Sequence, residues 1–108
     1  MRVLLDECID EGFRHHFGGH DCQTCRYAGL AGLANGELLA AADRAGFGVL
    51  ITVDQSMPNQ QSLRGRSISL LVVRARSTNL EDLLAVPPDV LEALETLGSG
   101  QVIRIGVR

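Results

Sequence analysis

Acidic side chains directly follow two apolar runs of this sequence. Asp6 and Glu7 come after residues 3–5, and Asp54 comes after residues 49–53. Short apolar runs of this kind indicate buried strands. The carboxyl ends of parallel strands meet at one edge of a sheet, where ligands bind. We therefore expect these three carboxylates to converge if the two strands are neighbours.

Carboxylates that converge in this way would suit a hard divalent cation. Mg²⁺ and Mn²⁺ prefer oxygen ligands, usually one or two carboxylates together with waters and substrate phosphates. Glu37, in the first turn of a predicted helix, is a third candidate ligand beside Asp6 and Asp54. Glu7 would be an additional ligand or a nearby base. Any one of these acids is also explained as a residue that caps or starts a helix, so the prediction depends on the set.

The cysteines and histidines do not predict a zinc site. His20, Cys22 and Cys25 show the spacing H-x-C-x-x-C, but no second ligand pair follows them. Residues three apart on a strand also face opposite sides. The chain has 3 cysteines, an odd number, which fits a reducing compartment. We expect Cys8, Cys22 and Cys25 to be small buried apolar residues. Carboxylates beside Cys8 raise the pKa of its thiol, which disfavours a nucleophile there.

The segments that must position these residues alternate between strand and helix patterns. The strands are apolar throughout, which is typical of a parallel sheet covered on both faces. We expect an α/β fold, a three-layer α/β/α sandwich with a mostly parallel sheet of about five strands, formed by residues 1–108 as a single domain. The predicted strands are 3–5, 20–25, 49–53, 68–73 and 102–107, and the predicted helices are 7–17, 36–45 (capped by Asn35), 79–84 and 88–97, with one helical turn allowed within 55–65.

The formal net charge of −3 hides an uneven distribution of charge. Residues 1–54 and 81–108 are acidic, whereas residues 55–80 carry four arginines and no acid. Such a chain places an acidic site beside a basic patch, as an enzyme that binds a metal and a phosphate backbone requires. Arginines that flank surface strands or loops are the alternative explanation. No apolar run reaches the length of a membrane span and the N-terminus lacks a signal-peptide pattern, so we expect a cytoplasmic protein.

Six segments of the chain together form a family pattern. They are MRVLLDE (1–7), GLANGELL (32–39), LITVD (50–54), Gln60-Gln61, LLVVRARS (70–77) and the last predicted strand. These segments resemble the small PIN-like proteins that are related to VapC-type toxins of toxin–antitoxin systems. The resemblance implies an α/β/α fold and a metal-dependent ribonuclease. It also implies that Asp6, Glu37 and Asp54 bind Mg²⁺ or Mn²⁺ for the hydrolysis of RNA.

A ribonuclease of this kind would use further residues around the acids. Glu7 would orient a ligand or a water, and Arg64 and Arg66 would contact the substrate phosphates. Ser56 stands where many relatives carry a fourth acid and would support a water. Asn35 is expected to cap its helix and to lie on the substrate-binding side. RNA is then the substrate, and an antitoxin protein and a second copy of the chain are the partners that the resemblance suggests.

Two other functions fit parts of the pattern. The segment 53–58, VDQSMP, is similar to the sequence around the phospho-acceptor aspartate of receiver domains, with Asp54 as the acceptor. Receivers use a lysine after the last strand, and this chain has none, since all 10 of its basic residues are arginine. A PIN-like binding module without catalysis is the third hypothesis, because Gln55 and Ser56 replace a basic residue and an acid that many relatives carry.

Overall fold

A computed structural model describes residues 1–60, 63, 65–74 and 87–106, and for residues 59, 60 and 87–89 it describes the backbone alone. The elements alternate between strand and helix, as the sequence predicts. They are β1 (Arg2–Leu5), a 3-10 helix (Glu11–His16), β2 (Asp21–Thr24), α1 (Asn35–Arg44), β3 (Val49–Thr52), α2 (Met57–Gln60), β4 (Ser69–Arg74), α3 (Pro87–Thr96) and β5 (Val102–Gly106).

The five strands form one sheet in the order β2-β1-β3-β4-β5, and every neighbouring pair is parallel. The predicted α/β class is therefore confirmed. β1 lies next to β3, with Leu5 opposite Ile51, so the condition for convergence of the acids is met. The chain runs outward from β1 to β2 and then crosses to the other side of β1. A sheet of this order binds ligands at that reversal, beyond the carboxyl ends of β1 and β3.

Two apolar clusters hold alternate residues of the central strands, so helices pack on both faces of the sheet. The 3-10 helix and α3 contribute to the first cluster, and α1 and Met57 of α2 contribute to the second. The strand residues of the first cluster are Val3, Leu5, Val49, Ile51, Leu71 and Val73, and those of the second are Leu4, Leu50, Leu70 and Val72.

The segment after β1 differs from the helix predicted over residues 7–17. A turn in which the N–H of Ile9 donates to the carbonyl of Asp6 comes first, at 3.0 Å. The Asp10 side chain then accepts a hydrogen bond from the N–H of Gly12 and starts the 3-10 helix at Glu11. Ile9, Phe13 and Phe17, whose spacing of four predicted the helix, still pack in one cluster. Ile9 reaches it from the turn, and Phe13 reaches it from the 3-10 helix.

The edge strands are less buried than the uniformly apolar pattern predicts. β2 is exposed at Asp21 and half-buried along its remaining residues. β5 alternates, with Ile103 and Ile105 on the first cluster and the residues between them exposed. Each edge strand has a neighbour on one side only, so half of its environment is solvent.

The predicted helix over 79–84, together with Arg64, Arg76 and Gln61, lies outside the described residues. In the part of the chain that the structure describes, no helix has the length and apolar character needed to cross a membrane.

Candidate functional site

Asp6 and Asp54 lie at the same edge of the sheet because β1 and β3 are parallel neighbours. The N–H of Asp6 donates to the carbonyl of Ile51 at 2.9 Å, so hydrogen bonding between the strands continues one residue beyond β1. Asp54 follows β3 by two residues. Both aspartates are partly buried, with their carboxylates at the carboxyl ends of the two strands.

Thr52 connects the two aspartates. It is the last residue of β3 and its side chain has no solvent exposure. Its hydroxyl donates to Oδ2 of Asp6 at 2.7 Å and accepts from the N–H of Asp54 at 3.1 Å. One buried hydroxyl therefore fixes the Asp6 carboxylate relative to the backbone of Asp54. The sequence analysis did not identify this residue, although a threonine that ends an otherwise aliphatic strand is a signal for it.

The Asp54 carboxylate is held by donors on both of its oxygens. The hydroxyl and the N–H of Ser56 donate to Oδ1, at 2.6 and 3.0 Å. The Asn35 amide donates to Oδ2 at 3.3 Å. The hydrogen bond from the Ser56 hydroxyl is the main reason that the pKa of Asp54 lies below its ordinary value. Asp54 is therefore an anion at neutral pH.

Asn35 does not cap α1, contrary to the sequence prediction. Ala34 occupies the N-cap position without a side-chain hydrogen bond, and Asn35 is the first helical residue. Its amide instead donates to a carboxylate oxygen of Asp54. A hydrogen bond to a charged acceptor is stronger than one between neutral groups, which favours this partner over the helix terminus. Asn35 thus belongs to the site through Asp54.

The two glutamates are placed differently from the aspartates. Glu7 is exposed, and its Oε1 accepts a hydrogen bond from the N–H of Gly32 in the loop before α1. Glu37 is exposed in the first turn of α1, the position predicted for it. Across the described ranges, no three His, Cys, Asp or Glu side chains are grouped so that they could hold a metal ion. The structure therefore brings Asp6 and Asp54 to one place without adding a third acidic ligand.

The Asp6–Asp54 pair still fits the donor requirement of Mg²⁺ or Mn²⁺. Among the described residues, Oδ1 of Asp6 accepts one hydrogen bond, from the N–H of Glu7 at 2.8 Å, and Oδ2 of Asp54 accepts one, from the Asn35 amide. A carboxylate oxygen has two acceptor positions, so each of these atoms keeps one for a cation. Mg²⁺ is bound in proteins by one or two carboxylates, and waters and phosphates complete its coordination.

The arginines are distributed differently from the prediction. Arg66 lies in the turn before β4. Because Ser69 of β4 is opposite Val49, the first residue of β3, that turn is at the amino-terminal edge, away from the aspartates. The structure therefore does not place Arg66 beside the acids, and Arg64 is outside the described residues.

Two other arginines lie towards the same edge as the aspartates. Arg74 is the exposed last residue of β4. Arg104 is exposed on β5, with Nη1 at 3.5 Å from the carbonyl of Gln55, the residue after Asp54. The rule that identified Asp6, a charged residue directly after an apolar strand, also applies to Arg74.

The three cysteines differ in exposure. Cys25 is buried and Cys22 is half-buried, and burial raises the pKa of each thiol to about 12. Cys8 is exposed, which corrects the prediction that all three are buried, because it lies in the turn that follows Asp6. Its Sγ is 3.6 Å from Oδ2 of Asp6, and partial burial together with that carboxylate raises the pKa of its thiol.

Comparison of the chain with protein-family models, with curated proteins and with solved structures gave no significant match.

Proposed function

We propose that the protein is a Mg²⁺- or Mn²⁺-dependent ribonuclease of PIN-like type, with Asp6 and Asp54 as the protein ligands of the metal. The observation that carries this proposal is the connection of the two carboxylates through Thr52 at the ends of adjacent parallel strands. The hydrogen bonds that lower the pKa of Asp54 keep its carboxylate ionised, so it is available to a cation.

A metal bound by these aspartates would activate a water and stabilise the charge that develops on the phosphate. The residues of the chain perform the remaining tasks. Ser56 and Asn35 keep the Asp54 carboxylate ionised and oriented, and Glu7 is tied to the loop before α1. Arg74 and Arg104 supply positive charge along the edge beyond β4 and β5, where they suit backbone phosphates. Glu37 is proposed as a further ligand through a bound water, since it projects from the same helix as Asn35.

Cleavage of a labelled single-stranded RNA in Mn²⁺ or Mg²⁺ tests the proposal. Asp6→Asn and Asp54→Asn preserve shape and remove charge, so each is expected to lower the cleavage rate at least about a hundredfold, as removal of one central charge-stabilising group does in other enzymes. Glu92→Gln, at an exposed position of α3, is the matched control and should cleave as the unaltered chain does. Cleavage that persists in EDTA, or in both aspartate variants, refutes the proposal.

A receiver-like phospho-acceptor is the second candidate, because one observation favours it. The strand order 2-1-3-4-5 is that of the flavodoxin-like sheets, which receivers share, and Asp54 follows β3 as an acceptor aspartate would. The absence of lysine and the two donors from Ser56 on Oδ1 of Asp54 count against it. Incubation with acetyl phosphate followed by peptide mass spectrometry distinguishes the two, since only the receiver gains a phosphoryl group on Asp54.

The absence of both cleavage and phosphorylation would favour the remaining hypothesis, a PIN-like module that binds without catalysis. RNA as a substrate, an antitoxin and a homodimer stay predictions of the resemblance, and a cytoplasmic location stays a prediction of the sequence composition.

A further inference from the structure

A groove runs from the candidate site along the open edge of the sheet. It consists of two adjoining cavities of about 280 and 350 Å³, which share Glu11, Thr24 and Arg26 in their walls. The smaller cavity also includes Asp6 and Glu7 of the site. The larger one follows the edge strand β2 and ends at Tyr27. The groove therefore continues the site in the direction away from β3.

Tyr27 presents an exposed aromatic ring on a hydrogen-bonded turn. Its side chain is 79% exposed, and it is the only tyrosine of the chain. Its N–H donates to Oγ1 of Thr24 at 3.2 Å, and the N–H of Ala28 donates to the carbonyl of Thr24 at 3.0 Å. The buried Cys25 ties this turn to the end of β1, because its N–H donates to the carbonyl of Leu5 at 3.1 Å. The turn that carries the ring is thus hydrogen-bonded to Leu5, the residue before Asp6.

The chemistry of the groove combines that ring with arginine. Arg26 borders both cavities, and Arg14 borders the larger one, and both are exposed. Glu11 and Asp21 balance these charges, so the larger cavity is close to neutral, whereas Asp6 and Glu7 add negative charge to the smaller one. An exposed aromatic ring beside arginine is the combination that binds single-stranded nucleic acids, in which bases stack on the ring and phosphates pair with the guanidinium.

We propose that this groove binds the nucleotides that flank the cleaved phosphate of a single-stranded RNA, with one base stacked on Tyr27 and a neighbouring phosphate paired with Arg26. The inference rests on the proposed ribonuclease function, which supplies the RNA substrate and the position of the cleaved phosphate at the aspartates. It adds a binding subsite on the β2 side of the aspartate pair. The other strand ends, with Arg74 and Arg104, lie on the opposite side of that pair.

Intrinsic fluorescence tests this proposal directly, because the chain has one tyrosine and no tryptophan. All tyrosine emission therefore comes from the groove. Titration of the unaltered chain with a short oligoadenylate in EDTA, where no metal-dependent cleavage occurs, is expected to quench this emission with saturation. When the Arg26→Gln variant is titrated in the same way, half-saturation of the quenching should need a higher concentration of oligoadenylate.

Affinity measurements on labelled RNA supply the second readout. Tyr27→Ala is expected to weaken binding about tenfold, within the range found for the loss of one stacked base, while Tyr27→Phe keeps the ring and should bind nearly as the unaltered chain does. Arg26→Gln should also lower the salt dependence of binding by about one counterion. Arg44→Gln, an exposed arginine in the last turn of α1, is the matched control. Circular dichroism verifies that each variant is folded.

The outcomes separate this proposal from the ribonuclease proposal. Absence of quenching, or a Tyr27→Ala variant that binds RNA as tightly as Tyr27→Phe, overturns the groove even if Mn²⁺-dependent cleavage is observed. Quenching and weakened binding without any cleavage support the groove and refute the ribonuclease. Quenching by an extended peptide but not by RNA would show that the open edge of β2 receives a protein strand instead, which also overturns the proposal.

Discussion

Replacement of Thr52 by valine removes the hydroxyl that connects the two aspartates and keeps the shape of the side chain. The hydroxyl makes one hydrogen bond to a carboxylate and accepts one from a backbone N–H, at 2.7 and 3.1 Å. Because Thr52 has no solvent exposure, water cannot replace it at that position. Thr52→Val therefore leaves the Asp6 carboxylate and the Asp54 N–H each without one partner.

The expected loss of stability follows from the kind of bond that is lost. A hydrogen bond to a charged group contributes about 1.5–3 kcal/mol, and the valine methyl leaves no cavity, so we expect Thr52→Val to lower the free energy of unfolding by about 2 kcal/mol. In a domain of this size that corresponds to a fall in Tm of roughly 8–12 °C. Thr52→Ser keeps the hydroxyl and loses one buried methyl group, which costs about 1 kcal/mol.

Urea unfolding at pH 7, followed by circular dichroism, measures these differences. The matched control is Thr96→Val, because the exposed Thr96 hydroxyl makes only a 3.5 Å contact with the carbonyl of Ala93, and we expect no measurable change there. If Thr52→Val unfolds at the same urea concentration as the unaltered chain, the hydroxyl does not hold the site together and the argument from Thr52 is wrong. A loss equal to that of Thr96→Val leads to the same conclusion.

Three further predictions concern other parts of the molecule. Gly100→Ala should destabilise the fold by about 1–2 kcal/mol in the same urea assay, since Gly100 has φ +65° and an added Cβ would lie 3.1 Å from the carbonyl oxygen of Arg66; Gly18→Ala, with no atom within 4 Å of the added Cβ, should be neutral. A thiol reagent at pH 8 should modify only Cys8 in the folded chain, and at a rate that rises with pH, because its pKa is raised and the other two thiols have pKa values of about 12; rapid modification of a second thiol by the native protein would contradict this. Ser56→Ala should raise the pKa of the Asp54 carboxyl in an NMR titration. The stability difference between the two proteins should be present at pH 7 and shrink as the pH falls through the lowered pKa of that carboxyl, because protonation removes the charge that the Ser56 donors stabilise.

The sequence predicted the carboxylate pair for a physical reason that holds in the structure. An apolar run that ends abruptly in an acid marks the point where a buried parallel strand reaches the sheet edge, and this identified Asp6 and Asp54 without knowledge of the fold. Composition could not show whether β1 and β3 are neighbours, because strand order depends on how the helices pack. The register of Leu5 with Ile51 settles that point.

The partners of the pair were harder to predict because their roles depend on contacts distant in sequence. Asn35 is a favourable cap by residue type, but a carboxylate 19 positions away takes its amide. Arg66 follows Asp54 closely in the chain, yet the segment between them, which includes α2, returns the chain to the amino-terminal edge of the sheet, so nearness in sequence is misleading. Thr52 was overlooked as a polar residue inside a strand, where only its buried position shows why a hydroxyl is needed.

The strand order has a consequence for the way this chain folds. No two strands that follow each other form a hairpin, and β1 completes its pairing only when β3 docks against it, more than forty residues later in the sequence. Sheets built from such distant pairings fold slowly compared with those that begin from local turns. During synthesis, the apolar residues of β1 stay partly uncovered until β3 has been made. Asp6 and Asp54 are brought to the same sheet edge only when β3 pairs with β1. A chain that halts before β3 would therefore expose a half-covered strand to chaperones and would lack Thr52 and Asp54 of the candidate site.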